Sequence, residues 1–455
     1  MKKYLNDGFA LTCAGLLFAA GDALAAPTQN LLDIYRQAQL SDPNWASAQS
    51  SRLAAQEKQV QGHALLLPTV TAGANVNHSN TEVSYSGLPP AAAPILSSGM
   101  QSFDTYGYNV NLTQPLYRKQ NSVQYEQSKT QVVQAEEQLN NSRQDLMLRV
   151  SQAYFDVLLS QDRIDLLAAQ KAAISRQLEQ ARANFEVGTS TVTDVNEAQA
   201  RFDLTTAQEI AAANDLEVKK RTIQAITNQM PARLASAKSD LQAAIPQPGD
   251  MESWVDLAEQ NNLALKVQQQ NLQLATQQIE LAHAGHLPTL DVVGSYGDTR
   301  ANGGMNGYGN DLKDLTVGLQ LQVPLYQGGS ITSKEREAAA NRQKAQDDVE
   351  AARRQASLQA RQTFLNVSSS VAQVRAYEQA LVSSQSQLDS TSLGYEVGVR
   401  TSVDVLNAQQ QLFSAKSDLL KARYTYLLSI LQLKAAAGVL QDKDLGEISA
   451  LLEGS

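Results

Sequence analysis

The chain states nearly the same pattern twice, about 210 residues apart, and neither statement looks able to stand alone. Leu67-Pro68-Thr69 returns as Leu287-Pro288-Thr289, Pro115-Leu116-Tyr117 as Pro324-Leu325-Tyr326, and Phe185-Glu186-Val187-Gly188 as Tyr395-Glu396-Val397-Gly398. Beyond that glycine, Asp194-Val195-Asn196-Glu197-Ala198-Gln199 answers Asp404-Val405-Leu406-Asn407-Ala408-Gln409 at the same offset. A period this long means a duplicated architecture.

Each copy contains an unusually long helical stretch. From Leu116 to Val187, 72 residues rich in Ala, Gln, Leu, Glu and Arg contain neither glycine nor proline, and these are strong helix formers. At the α-helical rise, such a stretch would run for roughly 105 Å. The second, Ser330 to Leu393, is almost as long. Ordinary globular helices are far shorter, which leaves a coiled coil or a solenoid.

The apolar spacing favours the coiled coil. Leu146, Val150, Ala153, Val157, Ser160, Ile164 and Leu167 follow alternating steps of four and three, as do Val405, Ala408, Leu412, Ala415, Leu419 and Ala422. The latter helix carries a second seam through Val403, Leu406, Phe413 and Leu420. A helix packed on both flanks belongs in a ring or sheet of helices. Each long helix meets a glycine, Gly188 or Gly398, and a further helical run ends near Pro231 or Gly438. Two antiparallel helical hairpins are expected.

Strand chemistry precedes each hairpin. Leu315, Val317, Leu319, Leu321 and Val323 alternate with Thr316, Gly318, Gln320 and Gln322, a period of two with one apolar and one polar face. Tyr106, Tyr108, Val110 and Leu112 alternate likewise with Gly107, Asn109 and Asn111, and each of these strands has an upstream partner, Thr69 to Val76 or Thr289 to Tyr296. Apolar-out, polar-in strands flanked by aromatic residues are the pattern of an outer-membrane barrel. Four strands cannot close one, since roughly eight are needed and lipid tolerates no open edge. Several chains must contribute, unless the strands form soluble hairpins packed on the helices.

The expected address agrees. Lys2 and Lys3, the apolar run Phe9 to Ala20 and Ala23-Leu24-Ala25 read as a secretory signal over the first 26 residues. Cys13, the only cysteine, lies inside that segment, so the mature chain is expected to carry no thiol, disulfide or lipid anchor. No later stretch reaches 18 consecutive apolar residues. The net charge of −9 comes without a basic stripe, which argues against a nucleic-acid partner.

At this point the sequence resembles the TolC-type outer-membrane efflux proteins, over essentially the whole chain from the helix around Leu31 to about Leu440. The most specific elements are the paired turn motifs, Val187-Gly188-Thr189 through Asp194-Val195 and Val397-Gly398-Val399-Arg400-Thr401 through Asp404-Val405. The resemblance implies a mainly α fold with a membrane β-barrel. Each chain would supply two long helical hairpins and four transmembrane strands, and a homotrimer would join a 12-stranded β-barrel in outer-membrane lipid to a 12-helix α-barrel across the periplasm. It also implies a passive duct opened by a periplasmic adaptor and an inner-membrane pump of the ABC or RND type, serving type I protein secretion, multidrug efflux or both.

By the same resemblance, Thr193 and Asp194 on the first hairpin and Tyr395 and Arg400 on the second hold the tip closed, with Arg400 to Asp194 as a charge-assisted link. Asp404 falls in an acidic ring around the threefold axis; Asn407 stands where relatives can carry a second aspartate. Three converging carboxylates would raise one another's pKa, although Asp404 would serve equally as a helix cap. Gly188, Thr189, Gly398 and Val399 match the adaptor-docking turns, where glycine is also needed simply to reverse the chain.

The sequence thus divides into a signal over 1–26, a first repeat over 27–245, a second over 246–440 and a C-terminal tail over 441–455. The first repeat has strands about 68–80 and 103–115 and a hairpin about 116–230; the second has strands about 288–298 and 313–325 and a hairpin about 330–437. His283 and His286 lack the companions of a metal site, and the glycine-rich Gly303 to Gly309 links two strands rather than cradling a phosphate. With no nucleophile beside a base, neither an enzyme nor a cofactor is expected. The alternative from another class is a non-conducting coiled-coil spacer or adhesin-like envelope protein.

Overall fold

The computed structural model describes residues 28–84, 86, 99–238, 241–305 and 307–452. The signal over 1–26 lies outside them, as does Asn306 of the glycine-rich loop. Four strands, β1 (Thr69–Val83), β2 (Gly99–Tyr117), β3 (Thr289–Ala301) and β4 (Asn310–Gln322), form one antiparallel sheet in the order β1-β2-β3-β4. The register puts like with like: Val70 opposes Leu112, Val110 opposes Tyr296, and Tyr296 opposes Leu315, so one face is apolar across all four strands. That face is open, with Val70, Val76, Leu315, Val317 and Leu319 each about two-thirds or more exposed.

The strands outrun the alternation in places and stop short in another. β2 begins at Gly99 rather than near 103, because Gln101 and Phe103 continue the ladder opposite Thr81 and Ser79. β4 ends at Gln322 rather than near 325. Two residues on, Pro324 has no N–H to give a ladder.

Below the sheet, the uninterrupted stretches form α3 (Lys119–Glu186) and α7 (Ser330–Glu396), of 68 and 67 residues. Each returns through a shorter helix, α4 (Val192–Thr227) or α8 (Ser402–Ala436). On the sheet side lie α2 (Pro43–Ala64) and α6 (Leu263–His283), which lead into β1 and β3. α3 packs against α2, α4, α6 and α8, whereas α7 packs against α6 and α8. Side by side, the helices therefore run α2 and α4, then α3, then α6 and α8, then α7, in step with the four strands above them.

The first seam of α8 is buried throughout, whereas Val403 and Leu420 of the second are half-buried. Val405, Ala408, Leu412, Ala415, Leu419 and Ala422 are all buried, as are Leu406 and Phe413 of the second seam. Halfway along the hairpins, α1 (Leu31–Ser41), α5 (Met251–Asn261) and α9 (Asp442–Ala450) gird the long helices. Most of the apolar core gathers there: Leu31, Ile34 and Tyr35 meet Leu146, Met147, Tyr154, Leu427, Leu431 and Leu433. The residues read as a tail are part of it, since α9 buries Leu445 and Ile448, and Leu452 just beyond α9 is buried with them. Lys434 Nζ holds the buried Asp444 at 2.7 Å.

Candidate functional site at the hairpin tips

Both tips are built by one recipe. α3 and α7 end on glycines at φ +77° and +80°, Gly188 and Gly398, a left-handed geometry that costs other residues steric strain. The following amides, of Thr189 and Val399, donate to the carbonyls of Asn184 and Gly394 at 2.8 and 2.9 Å, closing the last helical turn as a six-to-one link. Each return helix then starts at a threonine cap. The hydroxyl of Thr191 accepts from the Asp194 amide and that of Thr401 from the Asp404 amide, while each carboxylate takes the cap amide, at 3.0 and 2.9 Å. This is the reciprocal capping box.

Asp194 and Asp404 are therefore repeat equivalents with one structural duty in common, and Asp404 does cap its helix. Donors from the cap hold both carboxyls below the usual aspartate range: first the Thr191 hydroxyl and amide for Asp194, first the Thr401 amide and hydroxyl for Asp404, where Arg400 adds its charge. What separates them is the neighbour. Asp194 also accepts from Ser190 Oγ at 3.0 Å and, across the hairpins, from Ser402 Oγ at 3.1 Å. One repeat on from Ser190 stands Arg400, and one repeat back from Ser402 stands Val192. The second of these differences, Ser402 against Val192, gives only Asp194 a partner on the opposite hairpin.

Other anticipated residues fall around this link. The Tyr395 hydroxyl accepts from Asn184 Nδ2 at 3.3 Å, again joining the second hairpin to the first. Asn407 Oδ1 accepts from Arg201 Nη2 at 3.1 Å. Higher up, Gln170 Nε2 donates to Gln410 Oε1 at 2.7 Å, and beside the Asn407 bridge Leu406 is buried with Ile174, Leu178 and Ala198. Thr193, Thr189, Val399 and Arg400 are exposed. Within one chain Arg400 makes no ion pair with Asp194; its stem instead lies over Gly394, where an added Cβ would sit 2.8 Å from Arg400 Cγ. Asn184, Ser402, Arg201 and Gln410 escape a reading of the turn motifs alone. Aligning the two repeats position by position would have exposed Ser402, because its counterpart is apolar.

Among the described residues no helix is long and apolar enough to cross a membrane, and no group of three or more His, Cys, Asp or Glu is placed to hold a metal ion. His283 and His286 do meet a carboxylate, Glu335 of α7, at 2.8 and 3.7 Å.

A family profile described as outer membrane efflux protein matches this chain twice, over residues 34–229 and 254–439. The chain belongs to that family. The two matches coincide with the two structural repeats, and they place the protein in the outer membrane of a Gram-negative bacterium. Among relatives, the outer membrane protein TolC of Vibrio cholerae is 37% identical over 429 residues, covering 93% of this chain and 94% of its own. The alkaline protease secretion protein AprF of Pseudomonas aeruginosa is 32% identical over 439 residues, covering 96% and 89%. Among solved structures, the outer membrane protein VceC of Vibrio cholerae superposes with a TM-score of 0.74 at 19% identity, over 90% of this chain and 96% of that one. This efflux-family fold thus persists where few residues are shared.

Proposed function

We propose that three copies of this chain form a gated export duct running from the periplasm through the outer membrane. The observation that carries this is the sheet: β1 and β4 are each paired on one side only, and an apolar sheet with open edges cannot rest in lipid. Pairing β4 of one copy with β1 of the next closes a barrel of twelve strands from three sheets of four. Because the helices follow the same lateral order, α7 of one copy meets α2 and α4 of the next, and the helical wall closes with the barrel. The polar face of β4, with Thr316, Gln320 and Gln322, then lines water.

The gate is the hairpin tip. Ser402 and Asp194, with Asn184 and Tyr395, hold the second hairpin against the first, while Thr193 and Arg400 face outward and engage the adjoining copy, Arg400 toward its Asp194. Asp404, with Asn407 one turn on, lines the constriction and favours cations. Gly188, Thr189, Gly398 and Val399 form the docking turns for a periplasmic adaptor, and an inner-membrane ABC or RND pump supplies the energy. The chain's own work is passage rather than catalysis. Likeness to a protease secretion protein and to TolC supports secreted proteins and small efflux substrates as cargo.

Cysteine pairs across the proposed seam test the assembly. One cysteine at Thr71 on β1 and one at Gln320 on β4 should crosslink copies into a ladder ending at the trimer; a ladder ending at the dimer, or no crosslink in folded protein, contradicts the closure.

A further inference from the structure

We propose that Arg201 is a second fastening of the tip, a gating residue that latches the two hairpins above the Asp194 link; this rests on the reading of the tip as the gate. Arg201 lies on α4, and its guanidinium has two partners. Nε meets the carboxylate of Glu197, one turn back on the same helix, at 3.1 Å, and Nη2 donates to Asn407 Oδ1 on α8 at 3.1 Å. Glu197 thus orients the planar fork and holds it on its own helix, and the remaining edge reaches the opposite hairpin.

Three features make this a latch rather than a stray surface contact. First, α4 and α8 are not lateral neighbours along most of their length, because α3 lies between them, yet here a side chain bridges them directly. Second, the bridge sits beside an apolar contact across the same boundary, where Ala198 and Leu406 are buried together with Phe202 alongside. Separating the hairpins would have to part both at once. Third, the bridge lies two helical turns from the Ser402–Asp194 link along α4, so the two fasten different levels of the tip.

The acceptor being an amide matters as much as the donor. Asn407 takes the hydrogen bond without adding charge, so the charge of Arg201 is balanced by Glu197 alone. A carboxylate at 407 would turn the bridge into an ion pair and add a negative charge one turn from Asp404. An amide keeps the latch weak enough to release and leaves Asp404 as the acid of its turn.

The experiment is a double-mutant cycle on single-channel conductance of the purified full-length mature protein in planar bilayers, comparing Arg201→Ala, Asn407→Ala and the double variant. Each single change should raise conductance or open time, roughly two- to fivefold for a lost charge-assisted hydrogen bond at a partly exposed site. The double variant should add nothing to either single. Asn407→Asp should keep the open time at or below the native value, whatever its added charge does to the size of the cation current, a retention that a merely structural role would not produce. Ser402→Ala is run in parallel. If Ser402→Ala opens the channel while Arg201→Ala and Asn407→Ala leave it unchanged, or if their effects add, the latch is wrong and the gate stands. If none of them changes a conducting channel, the tip is not the gate and the latch fails with it.

Discussion

Ser402 Oγ donates to Asp194 Oδ1 at 3.1 Å, so the first residue of one return helix is tied to the capping carboxylate of the other. The carboxylate already serves its own helix through Thr191, and the extra bond recruits a stability element into a link between hairpins. Losing Ser402 therefore removes the link and leaves the cap intact, whereas losing Asp194 removes both.

Ser402→Ala should loosen the tip with little loss of fold stability, and Asp194→Ala should loosen it at a further cost of about 1 kcal/mol from the lost cap. Cells producing either variant should become sensitive to a large hydrophilic antibiotic that an intact outer membrane excludes. Thermal unfolding should separate the two, with the larger drop for Asp194→Ala. Equal melting temperatures would show that the cap contributes nothing.

The acid response has a defined sign. Both Asp194 and Asp404 have folded pKa values held down by their caps. A depressed carboxyl stabilises the fold above its unfolded pKa of about 3.9, and that contribution is lost as pH falls through the lower, folded value. The Asp194 link should therefore persist unchanged from about pH 8 to pH 5 and fail only below about 4. In the proposed trimer, the cap holds the Asp404 carboxyl down against the mutual repulsion of converging copies. Cation preference measured by reversal potential should persist as pH falls from neutral to the ordinary aspartate value of about 3.9; a loss well above that value would mean that repulsion dominates.

At the hairpin turns, Gly188 and Gly398 have open space where a Cβ would go, so alanine there meets no neighbour and is penalised only by the left-handed backbone. Gly398→Ala should cost about 1 kcal/mol, and Gly398→Asn less. Calorimetric or denaturant unfolding checks the order. Alanine tolerated as well as glycine would mean that the turn relaxes to another conformation.

Where strand gives way to helix, Arg118 clasps the buried Asp291 of β3 with two bonds of 2.7 and 2.6 Å. Arg118→Ala strands a carboxylate that is only 4% exposed and should cost roughly 3 kcal/mol or more. Adding Asp291→Asn should recover much of that loss, because the unpaired charge goes with it. No recovery in the double variant would locate the effect elsewhere.

Much of this architecture is written in the residues. The long helices follow from 72 positions without glycine or proline and from a seven-residue apolar step, and the strands from a period of two. The helix α9 was less legible, since nine residues hold too few turns for a period to stand out and its burial depends on Leu31 and Ile34, far away in sequence. At the tip, motif matching reaches Asp194 and Tyr395 but not their partners Ser402 and Asn184. Those partners are set by how two hairpins cross, which no single helix encodes. The pairing of Arg400 with Asp194 does not occur within one chain; in the proposed assembly it belongs to the contact between copies.

The central claim is that the tip gates a conducting trimer. Single-channel recording of the purified mature protein in planar bilayers, native against Arg400→Ser, tests it most directly. Small cation-preferring currents that grow in the variant are the predicted result, since Arg400 would fasten neighbouring copies. Correctly inserted protein that passes no current in either form would contradict the duct and leave a non-conducting spacer.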